Sequence, residues 1–356
     1  MIGVVTLITL WTNFKRIWMT MQMNVPEKVR GLVVDNFGDW RLTRLDEVVI
    51  RRPGPDEVLI ETKAASINFP DVLMIEGKYQ NRPPVPFTPG RDAAGVILAV
   101  GSNVKEFSVG DRVAAQPGHG AFAAQTISKA HYCTKIPDGM SFEDAAACNT
   151  TIATVVGAIS LRVDLRPSEW ILITGAGGGV GSTGVQYARA LGGRVVALVS
   201  SQEKENAVRR IGAEIVLRSD RIENLKEGLR EALNQQGLDG VDAAMDVVGG
   251  DTFDGLLRCI RPEGRVSIVG FASGRIPSIP ANYLLLKDIR VAGSSINRLF
   301  VNPNAKFRRL MDNAFKMVTD GRIGTMIEGR YPLGEFSKAM ERVASRQVVG
   351  KVLLIP

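Results

Sequence analysis

The stretch Ile173–Gly181, ITGAGGGVG, holds five glycines in nine residues. Gly175, Gly178 and Gly181 stand three residues apart, directly after the apolar run WILIT and directly before an amphipathic segment. In that setting the first glycine permits a tight turn and the second lets the backbone close on a pyrophosphate. The third lets a helix pack tightly on the strand. A helix starting there also offers unpaired N–H groups and a partial positive charge to phosphate oxygens. Gly175, Gly178, Gly179, Val180 and Gly181 are therefore predicted to cradle a dinucleotide. The alternative is a glycine-rich turn that serves packing alone.

A site for NAD usually carries Asp or Glu at the end of the second strand, about 20 residues on, to hold the ribose 2′-hydroxyl. Here RVVALVSSQEK places Ser200 and Ser201 at that point, with Lys204 just beyond and Arg218 after the following strand. A carboxylate would repel a 2′-phosphate, whereas hydroxyls and cations would bind it. NADPH is the predicted cofactor. For Lys204 and Arg218 the alternative is a solvated surface charge.

These residues need elements to position them, and the rhythm of the chain supplies two kinds. From Val29 to about Thr151, short strand-like runs (VRGLVV, EVLIETKAASI, AAGVILAVG) alternate with turns rich in Pro and Gly, which predicts a mostly β domain. Its first long helix is SFEDAAACNTTIATVVGAI, with Ser141 placed to cap it three residues before Asp144. From about Trp170 to Val291, apolar strands alternate with amphipathic helices, the pattern of a doubly wound parallel sheet. The tail from Ser294 is predicted to return to the first domain. The expected division is an extension over residues 1–27, a β domain over 28–152 completed by 294–356, and a nucleotide-binding domain over 153–293.

Composition narrows the class. The chain has 356 residues, 45% of them hydrophobic and 23% charged, with a formal net charge of +7. That balance excludes fibrous and disordered classes and suits anionic ligands. Lys and Arg are scattered and no nucleic-acid-binding signature occurs, so no specific nucleic-acid partner is expected. Cys133, Cys148 and Cys259 form neither a disulfide framework nor a CxxC knuckle, which points to a reducing, cytoplasmic compartment. The apolar start MIGVVTLITLW is too short to span a bilayer and lacks the layout of a signal peptide. It reads as an over-long start, with a membrane-surface anchor as the alternative.

In order along the chain, AASINFPDVLMIEGKY, VPFTPGRDAAGVILAVGSNVKEFSVGDRV, ITGAGGGVGSTGVQYARALG, AMDVVGGDTF and GKVLLIP resemble the medium-chain dehydrogenase/reductase superfamily. The resemblance runs from about Arg30 to Leu354 and is nearest to the zinc-independent quinone oxidoreductases, the zeta-crystallin branch. It implies a GroES-like β domain beside a Rossmann domain, a cleft between them, and a homodimer. Zinc-dependent members carry Cys where this chain has Asn68 and Gly-His-Glu where it has Gly90, Arg91 and Asp92. Asn and Arg are poor zinc ligands, and His119 stands alone in a stretch without cysteine, so no metal site is expected. Alcohol oxidation needs its developing alkoxide stabilised, as zinc does. A quinone or an activated C=C accepts hydride without that help, so reduction by NADPH is the expected direction.

The resemblance also implies roles. Asn68 would sit beside the nicotinamide ribose and substrate, with Asp71 supporting it or serving as an ordinary turn residue. Tyr79 matches a tyrosine that enoyl thioester reductases use to position substrate or donate a proton, and in the quinone branch it would instead wall the pocket. Thr154 falls near the nicotinamide, unless its hydroxyl bonds back to its own helix turn. Gly270, Phe271 and Ser273 follow the strand expected to end under the nicotinamide. Lys351 matches a lysine of the closing strand that either reaches the cofactor or lies on the surface. Ile296–Asn302 aligns with no pattern. Three functions follow as expectations: an NADPH-dependent quinone reductase, a reductase of α,β-unsaturated carbonyls, or an NADPH-binding protein of the crystallin kind without useful turnover.

Overall fold

The computed structural model describes residues 28–301 and 305–356. The extension over residues 1–27 and Asn302 lie outside the described residues.

The first part of the chain is built as expected from short strands. Strands β1 (Lys28–Val33) and β2 (Arg44–Val49) form an antiparallel pair. The strands β3 (Glu57–Ile67), β4 (Ala93–Val100), β5 (Arg112–Ala115), β6 (Gln125–Lys129) and β7 (Cys133–Lys135) pair antiparallel in one sheet. Between β3 and β4 lies a short helix, α1 (Phe69–Ile75), with Pro70 in its first turn, where a missing N–H costs nothing.

Helix α2 (Phe142–Val155) begins at Ser141, whose Oγ accepts from Asp144 N at 3.0 Å. It continues without a break as wider π-type turns over Val156–Arg162. This segment, Phe142–Arg162, is long and apolar enough to cross a membrane, yet it is mostly buried inside the molecule. It is a core helix: its apolar face joins Ala64, Ala94 and Ala114 of the β sheet to Ile171 and Ile173 of the next sheet in a single cluster.

The second sheet comprises β8 (Trp170–Thr174), β9 (Arg194–Val199), β10 (Ile215–Arg218), β11 (Val241–Asp246), β12 (Ile260–Ile268) and β13 (Arg290–Gly293). All pairs are parallel in the order β10-β9-β8-β11-β12-β13. The strand order reverses at β8, so α3 (Gly179–Ala190) begins at the crevice where such sheets bind ligands. The intervening helices are α4 (Gln202–Arg210), α5 (Leu225–Asn234), α6 (Gly250–Cys259) and α7 (Ala281–Lys287). Buried on both faces, β8 has no exposed residue, the mark of a central parallel strand.

The tail supplies α8 (Ile296–Val301), α9 (Ala305–Thr319), β14 (Ile327–Pro332), α10 (Phe336–Ala344) and β15 (Lys351–Ile355). Strand β15 pairs antiparallel with β3 and parallel with β14, so the last residues enter the sheet begun by residues 57–67. The segment that matched no pattern is thus mostly helix α8. It seats on the long helix at Gly157, where an added Cβ would lie 2.6 Å from Leu299 Cδ1.

Candidate active site

At the glycine cluster, backbone geometry follows the residue types. Gly175 has φ +60°, a conformation that costs a side chain dearly. A Cβ on Gly181 would stand 2.2 Å from Gly175 O, so helix and strand approach too closely for any other residue. On Gly178 a Cβ would meet only Gly175 O, at 3.6 Å, which leaves the face over the start of α3 open. Open backbone at a helix N-terminus fits the phosphates of a dinucleotide. Gly179 and Val180 form the first turn of that helix.

The same loop touches the tail. Gly350 N donates to Gly177 O at 3.0 Å, and Gly178 and Gly350 form a parallel bridge. Lys351 then runs along the loop: a Cβ on Gly179 would collide with Lys351 Cδ at 2.4 Å. Its ammonium ends on Asn68, donating to Oδ1 at 2.7 Å and to Ile67 O at 3.3 Å. Lys351 is only 7% exposed, which rules out the surface role left open by the sequence.

Asn68 is oriented by this contact. With Oδ1 facing Lys351, Nδ2 donates to Ser66 O at 3.2 Å and to Asp92 Oδ2 at 3.3 Å. Asn149 Nδ2 reaches the other Asp92 oxygen at 3.4 Å. Asp71 is fully buried and accepts from Asn68 N at 2.7 Å, so it holds the start of α1 and is no ordinary turn residue. Burial pushes the Asp71 carboxyl up to about 7, against the pull of the Asn68 N–H, Arg91 and Lys351. Burial likewise raises Asp92 to about 6, opposed first by Lys351. The Lys351 ammonium is pushed down by burial and drawn back by Asp92 and Asp71. One cation thus stands among two carboxyls that titrate near neutrality, an arrangement able to hold and move a proton.

Tyr79, half-buried, accepts from Arg91 Nη1 at 2.6 Å, and the guanidinium lies 4.9 Å from the centre of its ring. Arg91 Nη2 donates to Asn297 Oδ1 of α8 at 3.2 Å. Thr154 donates to Thr150 O at 2.7 Å, the bond back to its own turn.

Around the expected 2′-phosphate position, Ser201 caps α4 by accepting from Lys204 N at 3.3 Å. Lys204 Nζ donates to Arg346 O at 2.8 Å and to Ser200 Oγ at 3.5 Å, so its ammonium stays beside the serines. Arg218, expected either to face the 2′-phosphate or to be a solvated surface charge, is instead paired within the protein. It is committed to Asp220 at 2.6 Å, to Glu205 at 3.3 Å and to Gln202 at 2.8 Å: Asp220 stands two residues on in the chain, and α4 brings Glu205 and Gln202 beside the end of β10.

Beyond β12, the turn carrying Gly270, Phe271 and Ser273 is tied to the end of β11: Ala272 N donates to Val247 O and Ser273 N to Val248 O. A residue missed in the sequence holds that end. Asp246 is buried and accepts from Thr174 Oγ1 at 2.6 Å, Gly249 N at 2.9 Å and Val248 N at 3.2 Å. An acid closing the apolar strand of AMDVV was a signal for it, since a buried carboxylate needs such donors. Asp92, Asn149 and Asn297 were missed as well, and no local pattern marks them. Among the described residues, no three His, Cys, Asp or Glu side chains are grouped to hold a metal ion.

Comparison with known proteins shows the family to which the chain belongs. Two family models match, an alcohol dehydrogenase GroES-like domain over residues 54–140 and a zinc-binding dehydrogenase over residues 179–316. Quinone oxidoreductase-like protein 2 of Mus musculus is 34% identical over 313 residues, covering 87% of this chain and 88% of its own length. Quinone oxidoreductase 1 of Escherichia coli is 30% identical over 307 residues, covering 85% of this chain and 92% of its own. A crystal structure of Escherichia coli quinone oxidoreductase complexed with NADPH superposes with a TM-score of 0.80 at 29% identity, over 92% of this chain and 100% of that one.

Proposed function

The chain belongs to the quinone oxidoreductase branch of the medium-chain dehydrogenase/reductase superfamily, and from that premise we propose that it is a cytoplasmic, zinc-independent NADPH:quinone oxidoreductase. The observation that carries the reading is the path of Lys351, whose stem lies on the glycine loop and whose ammonium ends on Asn68. One side chain so joins a phosphate cradle to the buried polar cluster.

Bound NADPH would supply hydride to the acceptor. Gly178 and the start of α3 would hold its pyrophosphate, and Ser200, Ser201 and Lys204 its 2′-phosphate. Gly270, Phe271, Ser273 and Thr154 would flank the nicotinamide end. Lys351 and Asp92 fix the amide of Asn68 so that it presents one geometry to the reactants. A quinone accepts hydride without a Lewis acid.

The first test follows NADPH absorbance with a small quinone and, in parallel, with a 2-enoyl thioester, with and without a chelator. Rapid oxidation by the quinone, unaffected by chelator, is the expected result. Turnover confined to the enoyl substrate would instead favour the reductase of unsaturated carbonyls, a reading supported by the free O–H of Tyr79. Cofactor choice has its own test. Lys204→Ala should weaken NADPH about tenfold, as loss of a charge-assisted contact of about 1.5 kcal/mol would. NADH binding should not change. Equal weakening of both would remove Lys204 from the 2′-phosphate site.

We also propose a homodimer through the open edge at β13. Leu285 and Leu286 of α7 are 79% and 78% exposed near that edge, which suits burial against a second copy. Light scattering should give a dimer that Leu285→Glu with Leu286→Glu converts to monomer. A monomeric parent chain would dismiss the proposal.

A further inference from the structure

Arg91 is a buried cation whose hydrogen-bond partners are neutral. It is 6% exposed, and its hydrogen bonds go to the Tyr79 phenol and the Asn297 amide. Nε is buried with no partner, and no carboxylate among the described residues lies within ion-pair distance. Asp71 feels its charge only at longer range. A desolvated guanidinium without a counter-ion is costly to keep.

The partner it does have is informative. Tyr79 Oη accepts from Arg91, and among the described residues its own proton is given to no acceptor. The phenol is therefore held as an acceptor on one side and left as a donor on the other. Asn297 comes from α8, so the tail helix holds the guanidinium from 206 residues further along the chain.

We propose that Arg91 and Tyr79 act as one unit that protonates the reduced acceptor, with Tyr79 as the donor, Arg91 as its positioning residue and Asn297 as the anchor of Arg91; this rests on the quinone oxidoreductase reading. In the step, a quinone takes two electrons and one hydrogen from NADPH as hydride, which leaves NADP+ and negative charge on a quinone oxygen. The Tyr79 O–H bond breaks and an O–H bond forms on that oxygen, giving the hydroquinone. The phenolate left on Tyr79 lies 2.6 Å from Arg91 Nη1, which neutralises it until water returns the proton. The uncompensated charge of Arg91 in the resting protein is the charge this phenolate requires.

The test has two readouts. In the first, 4-nitrophenolate, a stable mimic of the anionic oxygen, is titrated by absorbance into the NADP+-loaded protein. Tyr79→Phe and Arg91→Met should each weaken its binding about tenfold, and the double variant should be no weaker than about tenfold, because the two groups act through one bond. In the second, kcat for the quinone should fall about 100-fold in each single variant, within the usual range for a general acid. Added methylguanidine should restore part of it to Arg91→Ala and none to Tyr79→Phe. NADPH affinity, measured by fluorescence, should stay unchanged throughout. Arg91→Lys, which keeps the charge, guards against a variant that does not fold.

Nitrophenolate binding that is absent in the parent chain, or equal in all variants, would overturn the proposal. So would additive losses in the double variant. A parent chain that oxidises no NADPH with any acceptor, yet shows the coupled binding loss, would overturn the quinone reading and leave the Arg91–Tyr79 unit standing.

Discussion

Gly181→Ala is expected to lower NADPH affinity by about 100-fold or more and to destabilise the fold by about 1–3 kcal/mol, the usual cost of overpacking. The new methyl group would lie 2.2 Å from Gly175 O and 2.6 Å from Ala176 Cα. Both are backbone atoms of the loop, so relief requires the start of α3 to move off the strand, taking the phosphate-facing N–H groups with it. Gly178→Ala separates packing from binding. Its backbone, at φ −85° and ψ 174°, accepts alanine, and the added Cβ meets only Gly175 O at 3.6 Å. Stability should then stay within about 0.5 kcal/mol, as for substitutions that clash with nothing. NADPH affinity should nevertheless fall about 100-fold, because the methyl group would occupy the face offered to the pyrophosphate. Fluorescence titration and denaturant melts on the pair decide the matter. Unchanged NADPH binding by Gly178→Ala would mean that the glycines serve packing alone.

Lys351→Met should be the most damaging change in the polar cluster. It keeps the apolar stem against Gly179 but removes the charge that faces Asn68, Asp92 and Asp71. Removing one partner of a buried charged set costs about 3–5 kcal/mol where the remaining charges stay ionised. Here the cost should depend on pH. Both carboxyls already lie above the ordinary aspartate range near 4, at about 7 and about 6, and Lys351 is one of the groups holding them down. Without it they rise further. A carboxyl raised in the folded state gives its stability below the unfolded value and loses it as pH climbs through the folded value. The variant should accordingly melt closest to the parent near pH 4–5 and fall behind steadily from there to above pH 7. Turnover should drop about 100-fold at neutral pH, since Asn68 loses the contact that orients it. A stability difference that does not vary over this range would show that the two carboxyls do not sense Lys351.

Much of this molecule was legible before its structure. The alternation of apolar strands and amphipathic helices after Trp170 stated a parallel doubly wound sheet, because period and turn chemistry are local properties. The glycines at 175 and 181 stated the tight turn and the close helix–strand approach that the folded chain displays. The lack of an acid at the end of β9, where Ser200 and Ser201 stand, was equally local. Partnership was not. Lys351 reaches Asn68 across 283 residues, and Arg91 reaches Asn297 across 206. Arg218 has Asp220 two residues away in sequence, but it met Glu205 and Gln202 only when α4 folded beside β10. A side chain's type limits what it can bind, but burial and distance choose among the candidates. Those follow from how β15 enters the first sheet and how α8 seats on Gly157, which only the packed chain decides.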